Sequence, residues 1–388
     1  MPRELIVFLV SSTVYRLFSG ALLVSLTWTI LNQNDGSYLP LALAIFCSFI
    51  PAFVTPMMIK RLSTRMNGRQ MSSWFLVCLA ALSLVAGVAR DITVGLLITN
   101  LFVWLIFMLL EASLDMWFTQ VQRGMDEATV RRISGATTAT SQAALMIGPL
   151  LAAGLMPVLT GMGFYILLCI SFLLVSTVCY TRSGATVIET QEGNASVAPA
   201  KLPLTLFIPM VLIWPILGAF NFMLPQYVAS HGWALFELGV LDAVFGMGMA
   251  LIGVLIILGN TGRNLLIFLS GLIALAVVAA LMWFLVPNSL VLKALSLLVL
   301  GMAFGGARVH IRAAIAYRYS EAAVGLCVSR ANALATPVLL LILSLQLAMI
   351  ETAWLVPFLM ITLSIALLLQ TSAIRFAQGQ TNAAPVSA

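Results

Sequence analysis

The sequence predicts an all-α membrane protein of twelve transmembrane helices arranged as two six-helix bundles. Three observations carry this. The 388-residue chain is 62% hydrophobic and 8% charged, whereas ordinary soluble domains carry about 25% charged residues to cover their surface. The apolar residues gather into runs matching the length of about 20 residues that a helix needs to cross a bilayer core. A short basic turn also recurs. Met66-Asn67-Gly68-Arg69-Gln70 and Asn260-Thr261-Gly262-Arg263-Asn264 each lie between two apolar runs, with their glycines half of the chain apart. A duplicated membrane bundle usually binds its substrate between its halves, so transport is the leading expectation.

The expected spans run over 6–31, 39–59, 71–89, 93–117, 135–157, 161–180, 203–227, 236–258, 265–286, 290–312, 323–347 and 353–373. The first is longer than the ~7–15-residue core of a signal peptide and reads as an uncleaved helix. The fifth is the most polar at its start, and the tenth carries the most charge. The runs are too long for barrel strands and do not alternate.

Orientation follows from the basic residues. Gaps on one side hold Lys60, Arg61, Arg65 and Arg69, then Arg123, Arg131 and Arg132, then Arg182 and Lys201, Arg263, Arg318 and Arg375. The opposite gaps hold Arg90 and Lys293. The positive-inside rule then places both termini in the cytoplasm, for a multi-pass protein of the cytoplasmic (inner) membrane. Trp28, Tyr38, Trp74, Trp117, Tyr180, Trp233 and Trp354 lie near span ends, as interfacial aromatics do.

Residues 181–202 are polar and rich in Gly, Ser and Ala, and read as a flexible linker. The expected organisation is an N-terminal bundle over 1–180, a cytoplasmic linker over 181–202, a C-terminal bundle over 203–375 and a disordered cytoplasmic tail over 376–388. The pI near 9.3 is explained by topology, since the basic residues sit in the gaps and form no stripe with exposed aromatics. Nucleic acid is therefore not an expected partner; the lipid bilayer, a small-molecule substrate and protons are, and the chain is expected to be a monomer. Cys47, Cys78, Cys169, Cys179 and Cys327 form no C-x-x-C pair, and His231 and His310 are too few and too far apart for a metal site. No P-loop, zinc or dinucleotide fingerprint is present. No metal or cofactor is expected, and the chain does not read as an enzyme.

Two motifs give these features a family resemblance. Ile59-Lys60-Arg61-Leu62-Ser63-Thr64-Arg65-Met66-Asn67-Gly68-Arg69 resembles the G-x-x-x-D-R-x-G-R that follows helix 2 in the major facilitator superfamily. Arg65, Gly68 and Arg69 match, the aspartate is missing, and one extra residue separates Arg65 from Gly68. In that family the acid helps latch the cytoplasmic side. In span five, Gly135, Ala144, Gly148-Pro149 and Ala152-Ala153-Gly154 resemble g-x8-G-x3-G-P-x2-G-G of the family's exporters and antiporters. Three of those glycines are alanine here. Small residues permit close helix approach, and Pro149 removes a backbone donor and can bend the helix. The resemblance covers about 5–375 and implies the major facilitator fold and export.

Charges at bilayer depth cost about 2.5–3.5 kcal/mol on insertion scales and mark pathways. Arg16 lies within span one, and Glu111 and Asp115 lie one turn apart in span four. The depths of Arg16 and Glu111 match, and in the family architecture helices 1 and 4 both line the cavity. An Arg16–Glu111/Asp115 cluster is expected. It reads either as a proton-coupling site, with burial and Asp115 opposing Arg16, or as a static ion pair. Span ten ends with Arg308, His310 and Arg312, and Arg330 enters span eleven. The half-chain shift carries Asp115 to Val309, so bases stand in the second half where acids stand in the first. Arg308, Arg330 and His310 read as substrate-binding groups for a carboxylate or other anion, or else as anchors that snorkel to headgroups. Arg312 fits the anchor better. Asp242 reads as a hydrogen-bonded cap near the outer rim, or else as a second proton site. In span seven, Asn221, Phe222 and Gln226 are further substrate-contact candidates, although aromatics there could equally face lipid.

Proton-coupled export of a small organic molecule is the leading function, the cargo being a drug-like compound or a secreted metabolite such as a carboxylate siderophore. An importer of the same fold for a sugar, organic anion or other small solute is the alternative. A non-transporting receptor or membrane enzyme is the remote third.

Overall fold

A computed structural model describes residues 3–33, 44, 47–156, 158–181, 202–233, 235–258, 265–285, 289–349, 352 and 354–382. The described secondary structure is helical. The α-helices are α1 (Arg3–Gln33), α2 (Thr55–Leu62), α3 (Gly68–Val88), α4 (Thr93–Val121), α5 (Glu127–Leu155), α6 (Thr160–Thr181), α7 (Leu204–Ser230), α8 (Leu235–Leu258), α9 (Leu265–Leu285), α10 (Leu290–Arg318), α11 (Glu321–Ala348) and α12 (Leu355–Asn382). Among the described residues, nine helices are long and apolar enough to cross a membrane. Three expected spans fall outside that set for different reasons. Most of 39–46 lies outside the described residues. The first half of α5 is polar, with Thr129, Arg131, Arg132, Ser134, Thr137, Thr138 and Thr140 before Ser141. In α7 side chains at 221, 222, 225 and 226 lie outside the described residues, which leaves the run Leu204–Phe220. The repeated turn over 260–264, most of the 181–202 segment and Tyr38 also lie outside the described residues.

The second expected span ends differently from a plain helix. A 3-10 turn over Ile50–Phe53 precedes α2, and Pro51 and Pro56 each stand at the first positions of their element. Proline is tolerated there because its missing N–H would lack a helical partner anyway. The start of α3 is closed by a capping box. Asn67 Oδ1 accepts from the Gln70 N–H at 2.8 Å, and Gln70 Oε1 accepts from the Asn67 N–H at 3.3 Å. Ahead of α5, Asp126 accepts from the Thr129 hydroxyl at 2.6 Å and the Thr129 N–H at 3.1 Å. Those two bonds hold the Asp126 carboxyl below the usual carboxylate range.

The chain forms two compact units. The first comprises Met1–Met125, Thr140–Ala200 and Ile315–Ala333; the second comprises Asp126–Ala139, Lys201–Ala314 and Leu334–Ala388. In the first unit α3 packs on α6 and α4, and α1 on α6 and α4. Serine pairs let these helices approach. The Ser73 and Ser176 hydroxyls meet at 2.9 Å, and those of Ser72 and Ser113 at 2.9 Å. Small side chains at a crossing bring backbones together and add a hydrogen bond that lipid cannot supply. Trp117, expected at the interface, is instead 1% exposed. It packs edge-on against Phe8 at 5.1 Å and beneath the Arg69 guanidinium at 5.5 Å. The cation gives the indole a reason to be inside. Trp74 and Tyr180, by contrast, are exposed.

In the second unit α12 packs on α7 and α9. The α8–α10 crossing is made of bare backbone. A Cβ on Gly248 would run into the Leu298 carbonyl, and one on Gly301 into that of Phe245. At the start of α10, Lys293 is 3% exposed. Its ammonium donates to the Trp283 carbonyl and lies 5.1 Å from the Trp283 ring and 5.8 Å from that of Tyr227. Ser296 ties the same two helices through the Ala279 carbonyl at 2.7 Å. Lys293→Met keeps the stem and removes the donor, leaving a buried carbonyl short of a partner. It is expected to destabilise the protein by about 1–3 kcal/mol, read as a lower melting temperature in detergent. An unchanged melting temperature would show that the rings pack equally well around a neutral chain.

Candidate functional site

Helix geometry explains how the charged residues of the first unit come together. On α4, Trp104, Phe107, Glu111 and Asp115 recur at intervals of three and four residues and so form one stripe. On α1, Tyr15 and Arg16 precede Ser19, whose hydroxyl bonds back to the Arg16 carbonyl at 3.0 Å. The Arg16 guanidinium forms an ion pair with the Glu111 carboxylate, and each side chain is 19% exposed. Asp115, one turn along α4, is within electrostatic reach of Arg16. The apolar side of the site is aromatic. Tyr15 is buried, stands 6.2 Å from Phe107 and lies beneath the Arg16 guanidinium at 5.6 Å, while Phe107 meets Trp104 at 6.1 Å. The structure thus brings Arg16, Glu111 and Asp115 together. It adds Tyr15, Trp104 and Phe107, which sequence reasoning missed; the three-and-four spacing on α4 was the available signal. Neither member of the pair is sealed from the surrounding space, so a polar substrate group could reach it.

The second unit carries its own arrangement. Phe220, Phe245 and Phe304 stack from α7 through α8 to α10, with centroids 4.3 Å and 5.9 Å apart. The half-buried Arg308 guanidinium continues this ladder 5.7 Å from the Phe304 ring. A guanidinium stacked on a ring presents a planar fork that suits a carboxylate. His310 is 4% exposed on the same helix, and Arg312 is partly exposed. Arg330 is exposed and belongs to the first unit, beside the buried Asn332. The side chains of Asn221, Phe222 and Gln226 lie outside the described residues, as does that of Pro149. Asp242 is exposed on α8.

The glycines differ sharply in what surrounds them. A Cβ on Gly148 would lie 2.5 Å from the Leu17 carbonyl oxygen and 3.0 Å from the Ala21 nitrogen, so α5 and α1 touch backbone to backbone. A Cβ on Gly135 would lie 2.9 Å from the Gly253 carbonyl oxygen, and one on Gly253 2.7 Å from that of Gly135. Among the described residues, a Cβ on Gly154 would meet nothing within 4 Å. Arg65 is exposed. Arg69 is buried and held on three sides. It donates to both Glu4 oxygens at 2.7 and 3.0 Å and to the Cys179 carbonyl at 2.8 Å, and it lies against Trp117.

Residues 8–339 match the profile of the Major Facilitator Superfamily. The chain belongs to this superfamily. Solved structures with the same fold include a bacterial homologue of the iron transporter ferroportin in an outward-facing state, with a TM-score of 0.75 and 16% identity, covering 97% of this chain and 100% of that one. The E. coli fucose:proton symporter FucP gives a TM-score of 0.68 at 15% identity, covering 94% and 98%. The human organic anion transporter TETRAN gives 0.64 at 15% identity, covering 95% and 100%. No curated protein matches the chain. The superfamily and these structural relatives identify a multi-pass membrane protein with a transporter's fold. Within it, the Arg16–Glu111 pair and the Arg308 ladder are the two polar constellations set among aromatic side chains that the described residues present most fully.

Proposed function

We propose that this superfamily member is a proton-coupled exporter of a small organic molecule, working by alternating access in the cytoplasmic membrane with both termini inside. In this reading twelve spans form bundles over 1–180 and 203–375, joined by 181–202, and the monomer is the working unit. The observation that carries it is the Arg16–Glu111 ion pair, partly open, with Asp115 one turn away. Charge is kept at membrane depth only where function or a partner repays its cost, and a second acid beside the pair gives a proton somewhere to go. The backbone contact at Gly148 supports the exporter-type reading of the span-five motif. Arg308 on its aromatic ladder supports an anionic group on the cargo, either a drug-like carboxylate or a secreted metabolite such as a carboxylate siderophore. The human organic anion transporter of the same fold agrees with that choice.

Import is the second reading, favoured by the likeness to a fucose:proton symporter. Inside-out vesicles separate the two. With the lumen acidified, an exporter loads its carboxylate cargo into the lumen against its gradient and dissipates the pH difference; a symporter-type importer does not load. Arg308→Ala is expected to raise the KM for a carboxylate cargo about tenfold and to leave an uncharged analogue unaffected. Equal KM shifts for both compounds would remove Arg308 from anion recognition.

A further inference from the structure

Tyr15 has no part in the transport reading, yet it is nearly sealed inside the charged site. It is 2% exposed, against 19% for each side chain of the Arg16–Glu111 pair. Neighbouring residues of a helix point about 100° apart, so Tyr15 and Arg16 leave α1 in different directions. The Arg16 guanidinium nonetheless lies over the Tyr15 ring, 5.6 Å from its centre. It meets the Glu111 carboxylate and an aromatic face at once. The ring is fixed in turn. It stands 6.2 Å from the ring of Phe107, which lies one turn before Glu111 on α4. Its hydroxyl lies beside Ser19, whose own hydroxyl donates to the Arg16 carbonyl at 3.0 Å.

Proton uptake changes the two contacts of Arg16 differently. While Glu111 is ionised, its carboxylate meets the guanidinium charge and the ring adds little. A neutral Glu111 leaves a full positive charge at membrane depth. The face of an aromatic ring is negative whatever the carboxyl does, and it attracts a desolvated cation most strongly. The other charged groups on the elements packed against α4 are accounted for. Arg69 of α3 is bound to Glu4 and lies against Trp117, further along α4. Lys60 and Arg61 of α2 are exposed, and Arg90 and Asp91 of the 3-10 turn Ala89–Asp91 pair with each other at 3.3 Å. Asp115, one turn from Glu111, is within reach of Arg16. Among the described residues it is the one rival to the ring.

We propose that Tyr15 is a positioning residue for the coupling proton, whose ring holds the Arg16 charge whenever Glu111 is neutral and so brings the protonated carboxyl within working range. This rests on Glu111 being the proton carrier. Dicyclohexylcarbodiimide modifies a carboxyl in its protonated form and needs no substrate. Labelling of the purified full-length protein is followed against pH, by mass spectrometry of the peptide that carries Glu111. Tyr15→Leu should move the midpoint of that profile about one pH unit lower, because a guanidinium with no second partner resists the loss of its carboxylate. Tyr15→Phe keeps the ring and should leave the midpoint in place. Where leucine disturbs folding, phenylalanines with one, two and three ring fluorines at position 15 decide. They keep the shape, weaken the ring face in steps, and should lower the midpoint in the same order. A midpoint unmoved by Tyr15→Leu and by the fluorinated series overturns the role of Tyr15 and leaves Glu111 as the carrier. If Asp115→Asn alone moves it, the acid holds Arg16 and the ring does not. A Glu111 that labels equally at every pH overturns the proton reading itself.

Discussion

Glu111→Gln abolishes uphill transport while leaving substrate binding nearly intact: this is the largest functional effect expected of any single replacement. A pH difference of one unit is worth about 1.4 kcal/mol per proton, about a tenfold concentration ratio. A carrier that cannot load the proton at Glu111 cannot draw on it, so the accumulation ratio in vesicles with an imposed gradient should fall to about one. Exchange of labelled for unlabelled substrate needs no net proton movement and should survive. The structure adds a control. Glutamine leaves the Arg16 guanidinium facing a neutral amide, with Asp115 as the nearby acid. Losing one partner of a buried pair costs about 3–5 kcal/mol, and less here, where both side chains retain some exposure. If the loss of transport were only instability, Arg16→Ala combined with Glu111→Gln would restore it along with the melting temperature. If the two effects are separate, the double variant regains stability and stays uncoupled. Uphill transport at the normal rate in Glu111→Gln would make the pair structural and move attention to Asp115.

Gly148→Leu should nearly abolish transport with little loss of protein from the membrane. The atoms that a new Cβ would meet belong to the α1 backbone at Leu17, Gly20 and Ala21, at 2.5 to 3.2 Å. No side chain can swing aside, so the helices must part, and overpacking of this kind costs about 1–3 kcal/mol or more. The geometry supplies its own comparison. Gly154 lies on the same helix, where a Cβ would meet nothing within 4 Å among the described residues, and Gly154→Leu should be neutral. Cellular accumulation assays with immunoblots of membrane fractions read both variants. Full activity in Gly148→Leu would sink the packing interpretation of the motif.

The contrast between these glycines shows what was legible in the chain. Helix ends came within a few residues of expectation for α4, α6, α8 and α9, because a bilayer imposes one length on every apolar run. The Arg16–Glu111 pair was legible because charge in an apolar run stands out against its surroundings. Aromatics in the same runs do not. Trp104, Phe107, Phe245 and Phe304 have no contrast with their neighbours, and periodicity cannot say whether a ring faces lipid or protein. Trp117 was placed at the interface by its position in the run and was buried by Arg69, a partner on another helix. Gly154 has the same sequence signature as Gly148, yet what lies opposite each depends on another helix. Nothing in the sequence ties Glu321 to the Gly68 amide, which only the fold brings beside it.

The reciprocal approach of Gly135 and Gly253 has a mechanical consequence. Each faces the other's carbonyl, with Ile256 and Ala139 close beside them, so the α5–α8 crossing meets backbone to backbone between the two glycines. Most helix pairs mesh like gears, and turning one against the other requires rotamers to climb over ridges. The two glycines themselves supply no such teeth. They form a bearing that permits rotation about the point of touch while fixing the distance between the axes, and any methyl added to either side would act as grit.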